Sequence, residues 1–305
     1  MNIDEKNKYK SDFRKDLKKF TESLKEYVST DTGDWTVKGF IDIYKSIYTI
    51  SSDTKIVSKI LEIHIFPQLL QFADSIGYSI VLAEKQNWYP DLSFVKKDNE
   101  KVKFAVDLKT TYRDPFFPGH INGFTLGSHG TYFKDRTSSK NIQFPYADYH
   151  GHFCLGIIYT RVDFGEVSET EIFQVQEIEE EYGNNPKIGE RQVTTIQHLK
   201  SITSVIKNFD FFVTEKWEIA SDHQGSANTA NIGSITNIDD LIKGNGIFAS
   251  LGEEWFDEYW INHGSASMVK DGKAKKITKL KDFLEFKGRN DLLEKIVTKL
   301  TKKKY

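Results

Sequence analysis

A chain of 305 residues is long enough to bury a substantial core, as one large domain or two smaller ones, and 38% hydrophobic with 28% charged residues is the balance of an ordinary soluble globular protein. No window approaches the roughly 18 uninterrupted apolar residues of a membrane span, and the first residues, MNIDEKNKYKSDFRK, lack the apolar centre of a signal peptide, so a cytoplasmic protein with no membrane partner is expected. A net charge of −2 gives no global sign of a nucleic-acid partner, yet excludes none, because such binding follows local clusters of lysine.

Phe13, Leu17, Phe20, Leu24 and Tyr27 are spaced 4, 3, 4 and 3 apart, an apolar stripe on an otherwise charged helix that packs on the body or on a second subunit. DWTVKGFIDIYKSIYTI is rich in β-branched and aromatic residues and reads as two short strands. SSDTKIVSKILEIHIFPQLLQFADSIGY opens on a capping residue, Ser52 or Asp53, and continues with helical periodicity to a bend near Pro67; Glu62 lies inside that helix. Strands follow at YSIVLAEK, DLSFVKK and KVKFAVDLKTTY, the last two joined by the turn-like KKDNEK. A stretch rich in Gly, Pro and aromatics from Pro115 to Tyr132 precedes the apolar strand FCLGIIYTRV, whose Cys154 reads as a small buried thiol. As the only cysteine, it also rules out a disulfide framework or a Cys-based zinc site within one chain. Residues 163 to 200 are polar and Glu-rich, with Glu177, Glu179, Glu180 and Glu181 in one run. NFDFFVTEKWEIAS reads as a strand leading into DHQGSANTANIGS, a loop of small polar residues, and from LIKGNGIF onward the chain reads as aromatic and then basic helix. There is no internal repeat and no linker that forces a domain boundary.

The chemistry is concentrated in KVKFAVDLKTTY. Residues two apart share a strand face, so Val102, Phe104, Val106 and Leu108 point one way, while Lys103, Ala105, Asp107 and Lys109 point the other. Asp91 starts the preceding strand, and the hairpin return brings Asp107 and Lys109 beside it. Two carboxylates and a lysine are what metal-assisted phosphodiester hydrolysis asks of a protein: oxygen ligands for Mg²⁺ and a cation for developing negative charge. The triplet alone carries little weight, since Asp4, Asp16, Asp53, Asp271 and Glu285 each also begin an acid-x-Lys triplet. Read without its context, Asp107-Leu108-Lys109 is equally an exposed ion pair on a strand face.

The context is more specific. YPD, followed sixteen residues after its aspartate by VDLKTTY, resembles the PD-(D/E)xK nuclease motif, and the surroundings resemble the EcoRV-like type II restriction endonucleases. The resemblance runs in order through SDTKIVSKILEI, KQNWYPDLSF, KFAVDLKTTY, FTLGS, SSKNIQFPY, IIYTRV, EKWEIASD, GSANTANIGSI, KGNGIF and EYW, from about Trp35 to Trp260. It implies an α/β fold with a mixed central β-sheet flanked by helices, the restriction-endonuclease-like core. It also implies Mg²⁺-dependent hydrolysis of double-stranded DNA by a homodimer at a short palindrome, with a cognate methyltransferase as functional partner.

By the same resemblance Asp91, Asp107 and Lys109 match the catalytic centre, and Glu62 matches an auxiliary acidic residue that binds or positions metal. GSANTANIGS corresponds to the segment that reads bases in the major groove. This places Gly225, Ser226, Ala227, Asn228 and Thr229 at the DNA, where Asn228 suits adenine and the Thr229 methyl suits thymine. Gln86 and Asn87 fall in the minor-groove loop, and Thr54, Lys55, Thr131 and Lys140 match or adjoin backbone contacts.

Ala227 and Ala230 depart from the family, which has glycine and threonine there, so the implied site, GATATC cut bluntly at its centre, holds best for its inner base pairs. The resemblance divides one endonuclease domain into an N-terminal helical extension (1–34), a dimerisation hairpin (35–50), a catalytic and recognition core (51–260) and a basic C-terminal helical extension (261–305). Two other functions fit the same scaffold: a repair or structure-selective nuclease, and a catalytically silent DNA-binding protein.

Overall fold

The first 28 residues show how this chain commits apolar surface. Helix α1 (Ile3–Val28) starts at Asn2, whose side chain accepts from the Glu5 amide at 2.8 Å, and carries Asp4 and Glu5 at its positive end and Lys25 at its negative end. Its stripe packs on the body: Phe13, Leu17 and Leu24 are buried and Phe20 packs against the same core, while Tyr27 stays exposed, stacked on His64, and Val28 is buried in its place. Phe13 stacks on Phe104 with ring centres 4.2 Å apart and meets Phe94 edge-on at 5.2 Å. The helix is also clamped by charge. Arg14 grips Glu218 through two hydrogen bonds of 2.8 and 2.7 Å, and Lys10 pairs with Glu215 and, at 3.0 Å, with Glu253. Helix α1 is therefore built into the core.

This computed structural model describes residues 2–44, 46–162, 172–174, 202–225, 230–270 and 272–301. Strands β1 (Gly39–Ile41) and β2 (Ser46–Thr49) form the expected hairpin, and β8 (Ile172–Gln174) adds a third strand against β2 that the polar composition of its surroundings hid. Helix α2 (Thr54–Ser75) is capped by Asp53, which accepts from the amides of Lys55 and Ile56 at 2.9 and 3.3 Å, and continues through Pro67. The main sheet follows the order β3 (Tyr78–Leu82), β4 (Leu92–Lys96), β5 (Lys103–Tyr112), β7 (Tyr149–Arg161), β9 (Ile206–Glu215). Only β5 and β7 run parallel, so the sheet is mixed, and the long crossover that a parallel pair requires supplies one wall of the cleft described below.

Both faces of this sheet are covered. Phe104, Val106, Phe153, Leu155 and Ile157 pack under α1 and α2, while Ala105, Cys154, Ile158 and Phe212 join a second core built mainly from the C-terminal third. The face of β5 that carries the charged residues packs as well: Asp107 and Lys109 sit on a face whose neighbours Ala105 and Cys154 are buried. Gly156, beside Lys109 in the β5–β7 register, is fixed by this packing, because a Cβ there would come within 2.0 Å of the Phe212 ring.

A second sheet, in the order β10 (Ala220–Gln224), β11 (Asn231–Ser234), β6 (Thr125–Ser128), flanks the first. Short helices α3 (Thr131–Lys134), α4 (Ile238–Lys243) and α5 (Glu253–Asn262) follow in chain order. The basic stretch read as helix forms instead a hairpin, β12 (Ser267–Lys270) and β13 (Lys273–Lys276), before α6 (Leu280–Phe286) and α7 (Asn290–Thr301). The reason was in the sequence: VKDGKAK alternates with period two around an Asp-Gly pair. Nor is this region an appendage, since Ile277, Leu280, Phe283, Leu284, Leu292 and Ile296 are buried against Tyr259 and Trp260. Among the described residues no helix is long and apolar enough to cross a membrane, and Cys154 is buried.

Because Phe13 touches four aromatic side chains across the helix–sheet boundary, Phe13→Ala should cost about 3–5 kcal/mol, read as a loss of unfolding free energy in denaturant titration. A loss below about 1 kcal/mol would show that α1 is only loosely attached.

Candidate active site

The register of β4 against β5 sets the site. Leu92 pairs with Val106, so Asp91, one residue ahead of β4, comes alongside Asp107 on the antiparallel neighbour. The Leu108 amide donates to Asp91 Oδ2 at 2.8 Å, the two carboxyl groups are hydrogen-bonded to each other, and Lys109 Nζ lies 2.6 Å from Asp107 Oδ2. Asp107 is 8% exposed, which removes the reading of this triplet as a solvated surface ion pair.

Burial and proximity split the two acids. Burial first, then the charge of Asp107, pushes the Asp91 carboxyl up to about 7, against the opposing pull of Lys109 and the Leu108 amide. Asp107 moves the other way: burial acts to raise it, but the Lys109 charge, the Asp91 hydrogen bond and the Lys109 hydrogen bond hold it below the usual carboxylate range. Lys109 is raised, since attraction to Asp107 and Asp91 outweighs its own burial. The pair thus holds one proton between them at mildly acidic pH and has an unmet demand for positive charge.

These groups open into a polar cleft also lined by Gln86, Asn87, Trp88, Tyr89, Thr125, Gly127, Ser128, Thr131, Tyr132, Lys140, Asn141 and Asn231. Of the residues read from sequence, Asp91, Asp107, Lys109, Gln86, Asn87, Thr131 and Lys140 are brought together. Gly225 lies near the far wall, its amide donating to the Asn231 carbonyl at 3.0 Å where the β10–β11 hairpin opens. Thr54 and Lys55 occupy the first turn of α2, outside the lining, and Ser226, Ala227, Asn228 and Thr229 lie outside the described residues. Glu62 is not part of the cleft wall; it pairs with Lys59 one turn back along α2. Among the described residues no group of three or more His, Cys, Asp or Glu is arranged to hold a metal ion.

Sequence reasoning missed the back wall. Tyr89 stacks with Tyr132 and donates to or accepts from His152 Nδ1 at 3.0 Å, and Gly127, with φ of +81°, leaves room for Tyr132. Aromatic residues flanking Pro90 and Asp91 were the available signal, but the crossover strand β6 that brings Gly127 to them carries only four residues and no alternation.

Comparison with known proteins agrees with this geometry. The family model described as restriction endonuclease EcoRV matches residues 31–184 and 181–288. The type II restriction enzyme EcoRV of Escherichia coli is 32% identical over 256 residues, covering 84% of this chain and 93% of that enzyme.

The chain belongs to the EcoRV restriction endonuclease family.

It is accordingly a type II site-specific deoxyribonuclease with the mixed α/β core of that family, and DNA is its substrate class. Helix α1 precedes the stretch that the EcoRV family model matches, although its Phe13 packs against rings of β4, β5 and β7.

The raised Asp91 carboxyl has a pH signature. A carboxyl whose folded pKa lies above its unfolded value contributes stability at low pH, and that contribution is lost as pH rises through about 4 to about 7. Metal-free wild type should therefore lose stability relative to Asp91→Asn across that window, measured as the difference between their unfolding free energies at several pH values. A difference independent of pH from 4 to 8 would show that the two carboxyls titrate normally.

Proposed function

We propose that the cleft hydrolyses both strands of duplex DNA at a short palindrome, one strand per subunit of a symmetric homodimer, with Mg²⁺ held by Asp91 and Asp107. The observation that carries this reading is the buried Asp91–Asp107–Lys109 constellation at the base of a polar cleft. The residues fit the ion: two adjacent hard oxygen donors, short of positive charge, match the one or two carboxylates that Mg²⁺ takes from proteins, with water and phosphate oxygens completing its shell. A cation bound there supplies neutralisation of the scissile phosphate and a more acidic water.

The chain's own groups do the rest. Asp107 sits on β5 and Asp91 immediately ahead of the paired strand β4, tied to β5 by the Leu108 amide, so their separation is fixed before DNA arrives. The Lys109 ammonium, anchored by Asp107, is a donor poised for negative charge that develops on the attacking oxygen and the phosphoryl group. Water attack on phosphorus with departure of the 3′ oxygen leaves 5′-phosphate and 3′-hydroxyl ends. Glu62, paired with Lys59 and outside the cleft wall, is left out of the proposed metal pair.

Thr131 and Lys140, in the cleft lining, and Thr54 and Lys55, at the amide-rich start of α2, suit phosphate contacts that set register and affinity. Gln86 and Asn87 face the minor groove in this reading, and the segment from Gly225 through Ser226, Ala227, Asn228 and Thr229 reads the major groove. The proposed target is GATATC or a related palindrome, cut bluntly, and the source cell then needs a DNA methyltransferase that protects the same site.

A digest of unmethylated phage DNA with Mg²⁺, with the fragment ends sequenced, tests the reading directly. Discrete ends sharing a palindrome are expected, and Asp107→Ala should reduce cutting to background while the protein stays folded; Lys109→Met should lose roughly 10²–10³-fold in rate. Cutting that survives Asp107→Ala would remove the constellation from the mechanism.

The subunits are proposed to join through the β1–β2 hairpin, where Phe40, Ile41, Ile43 and Tyr44 are 53, 64, 88 and 78% exposed, a run of apolar surface that a monomer rarely leaves bare. Ile43→Asp combined with Tyr44→Asp should convert a dimer to a monomer in sedimentation velocity. A wild-type protein that sediments as a monomer at micromolar concentration would refute this assignment.

A further inference from the structure

One layer behind the cleft wall lies a cation that the chemistry above does not use. Lys216 opens the 3-10 turn Lys216–Glu218 between β9 and β10. It is 4% exposed, and its Nζ has no hydrogen-bond partner among the described residues. The ammonium instead faces three rings, 5.0 Å from the centre of Tyr89, 5.3 Å from Phe133 and 5.7 Å from Tyr146. Tyr89 and Gly127 both line the cleft, and a Cβ on Gly127 would stand 3.6 Å from this Nζ.

An ammonium is costly to bury, and proteins usually offset that cost with a carboxylate at hydrogen-bonding distance. Aromatic faces offset only part of it. A position that needed volume alone would carry methionine or leucine. What a lysine adds here is charge, and the charge it senses most strongly is that of Asp107. Burial pushes its pKa down to about 7, with the attraction to Asp107 working against that fall. From the other side, Lys216 is among the groups that keep Asp107 ionised.

We propose that Lys216 is a positioning residue of the catalytic centre, a second counter-ion to the Asp91–Asp107 pair that acts through the cleft wall without occupying a carboxylate oxygen. The proposal rests on the assignment of that pair to DNA hydrolysis. Two ionised carboxylates and Lys109 leave one negative charge uncompensated. A second lysine in direct contact would balance it, but would also cover the oxygens that must stay open. Held by rings, Lys216 supplies the charge and leaves those oxygens free. The turn that carries it is fixed from both sides, because Lys10 pairs with Glu215 and Arg14 with Glu218. Helix α1 therefore bears on the catalytic centre through this turn, although it precedes the stretch that the family model matches.

Lys216→Met keeps the side chain out to the ε position and removes the charged nitrogen. Three quantities are read together: single-turnover cleavage at saturating DNA and Mg²⁺, DNA affinity without Mg²⁺, and the thermal midpoint. The cleavage rate should fall tenfold or more, affinity should stay within twofold, and the midpoint should be equal or higher, since a buried charge without a hydrogen-bond partner has been removed. In Lys216→Ala, added n-propylammonium should restore part of the rate where n-propanol does not. The inference is overturned by a Lys216→Met rate within twofold of wild type, by loss of rate together with a lowered midpoint or failure to fold, or by equal rescue from the alcohol. Its failure is distinct from failure of the nuclease assignment. A wild type that cuts nothing, or an Asp107→Ala protein that still cuts, removes the assignment; a cutting wild type, a silent Asp107→Ala and an unimpaired Lys216→Met remove only the role of Lys216.

Discussion

The function proposed for this molecule depends on holding two carboxyl groups against each other inside protein. Left to itself, such a pair relaxes: it takes up a proton, turns out to solvent or collects a salt bridge. Here the β4–β5 register prevents the rearrangement, because Asp91 and Asp107 are fixed by neighbouring strands whose other residues are locked by pairing and burial. The backbone amide of Leu108 ties Asp91 in place, and Lys109 ties Asp107. The resulting site is short of positive charge by construction, a deficit that suits a divalent cation, which would in turn offset the charge of a polyanionic substrate.

The rest of the fold reads as support for that register. A strand carrying Asp107 and Lys109 can stay straight only if both faces of its sheet are covered, and two separate cores do this: α1 and α2 on one side, the C-terminal third on the other. Phe13 makes the point on the first side, since it contacts rings from β4, β5 and β7 at once and so fixes their relative height. On the second side Phe212 lies over Gly156, directly beside Lys109. Neither residue reaches the cleft, so both bear on Asp107 and Lys109 only through the position of the strands.

What the sequence disclosed and what it withheld follow from the range of the interactions involved. The stripe on α1, the capped start of α2 and the strands of the main sheet were legible because their signals are local: periodicity, an Asx cap, β-branched runs. The Asp91–Asp107 pairing was legible because a short hairpin carries it. The contribution of α1 to the core was not, since an amphipathic stripe says that a partner exists without naming it. Likewise β6, β8 and the second sheet depend on pairings with strands far along the chain, and Lys216 becomes meaningful only when Tyr89, Phe133 and Tyr146, all more than 65 positions upstream, close around it. The basic hairpin near the C-terminus is a different case. Its Asp-Gly signal was present, and lysine content outweighed it.

The same division of range bears on how specificity and cleavage are separated. Strand β6 is shared: Thr125, Gly127 and Ser128 line the cleft, while the strand pairs with β11, which leads out of the segment proposed above to read bases. The ends of that segment are held by main chain, the Gly225 amide on the Asn231 carbonyl at 3.0 Å and the His129 amide on the Ala230 carbonyl at 2.8 Å. A main-chain tether is indifferent to the side chain it passes, so alanine in place of threonine at position 230 leaves this anchor intact. Gly225 is less free, because a Cβ there would come within 2.8 Å of Thr125 Cγ2 and 3.1 Å of Gly233 Cα. The architecture thus constrains where the segment proposed to read bases begins and ends, and it does so without involving Asp91 or Asp107, so under the proposed function the two tasks rest on separate tethers.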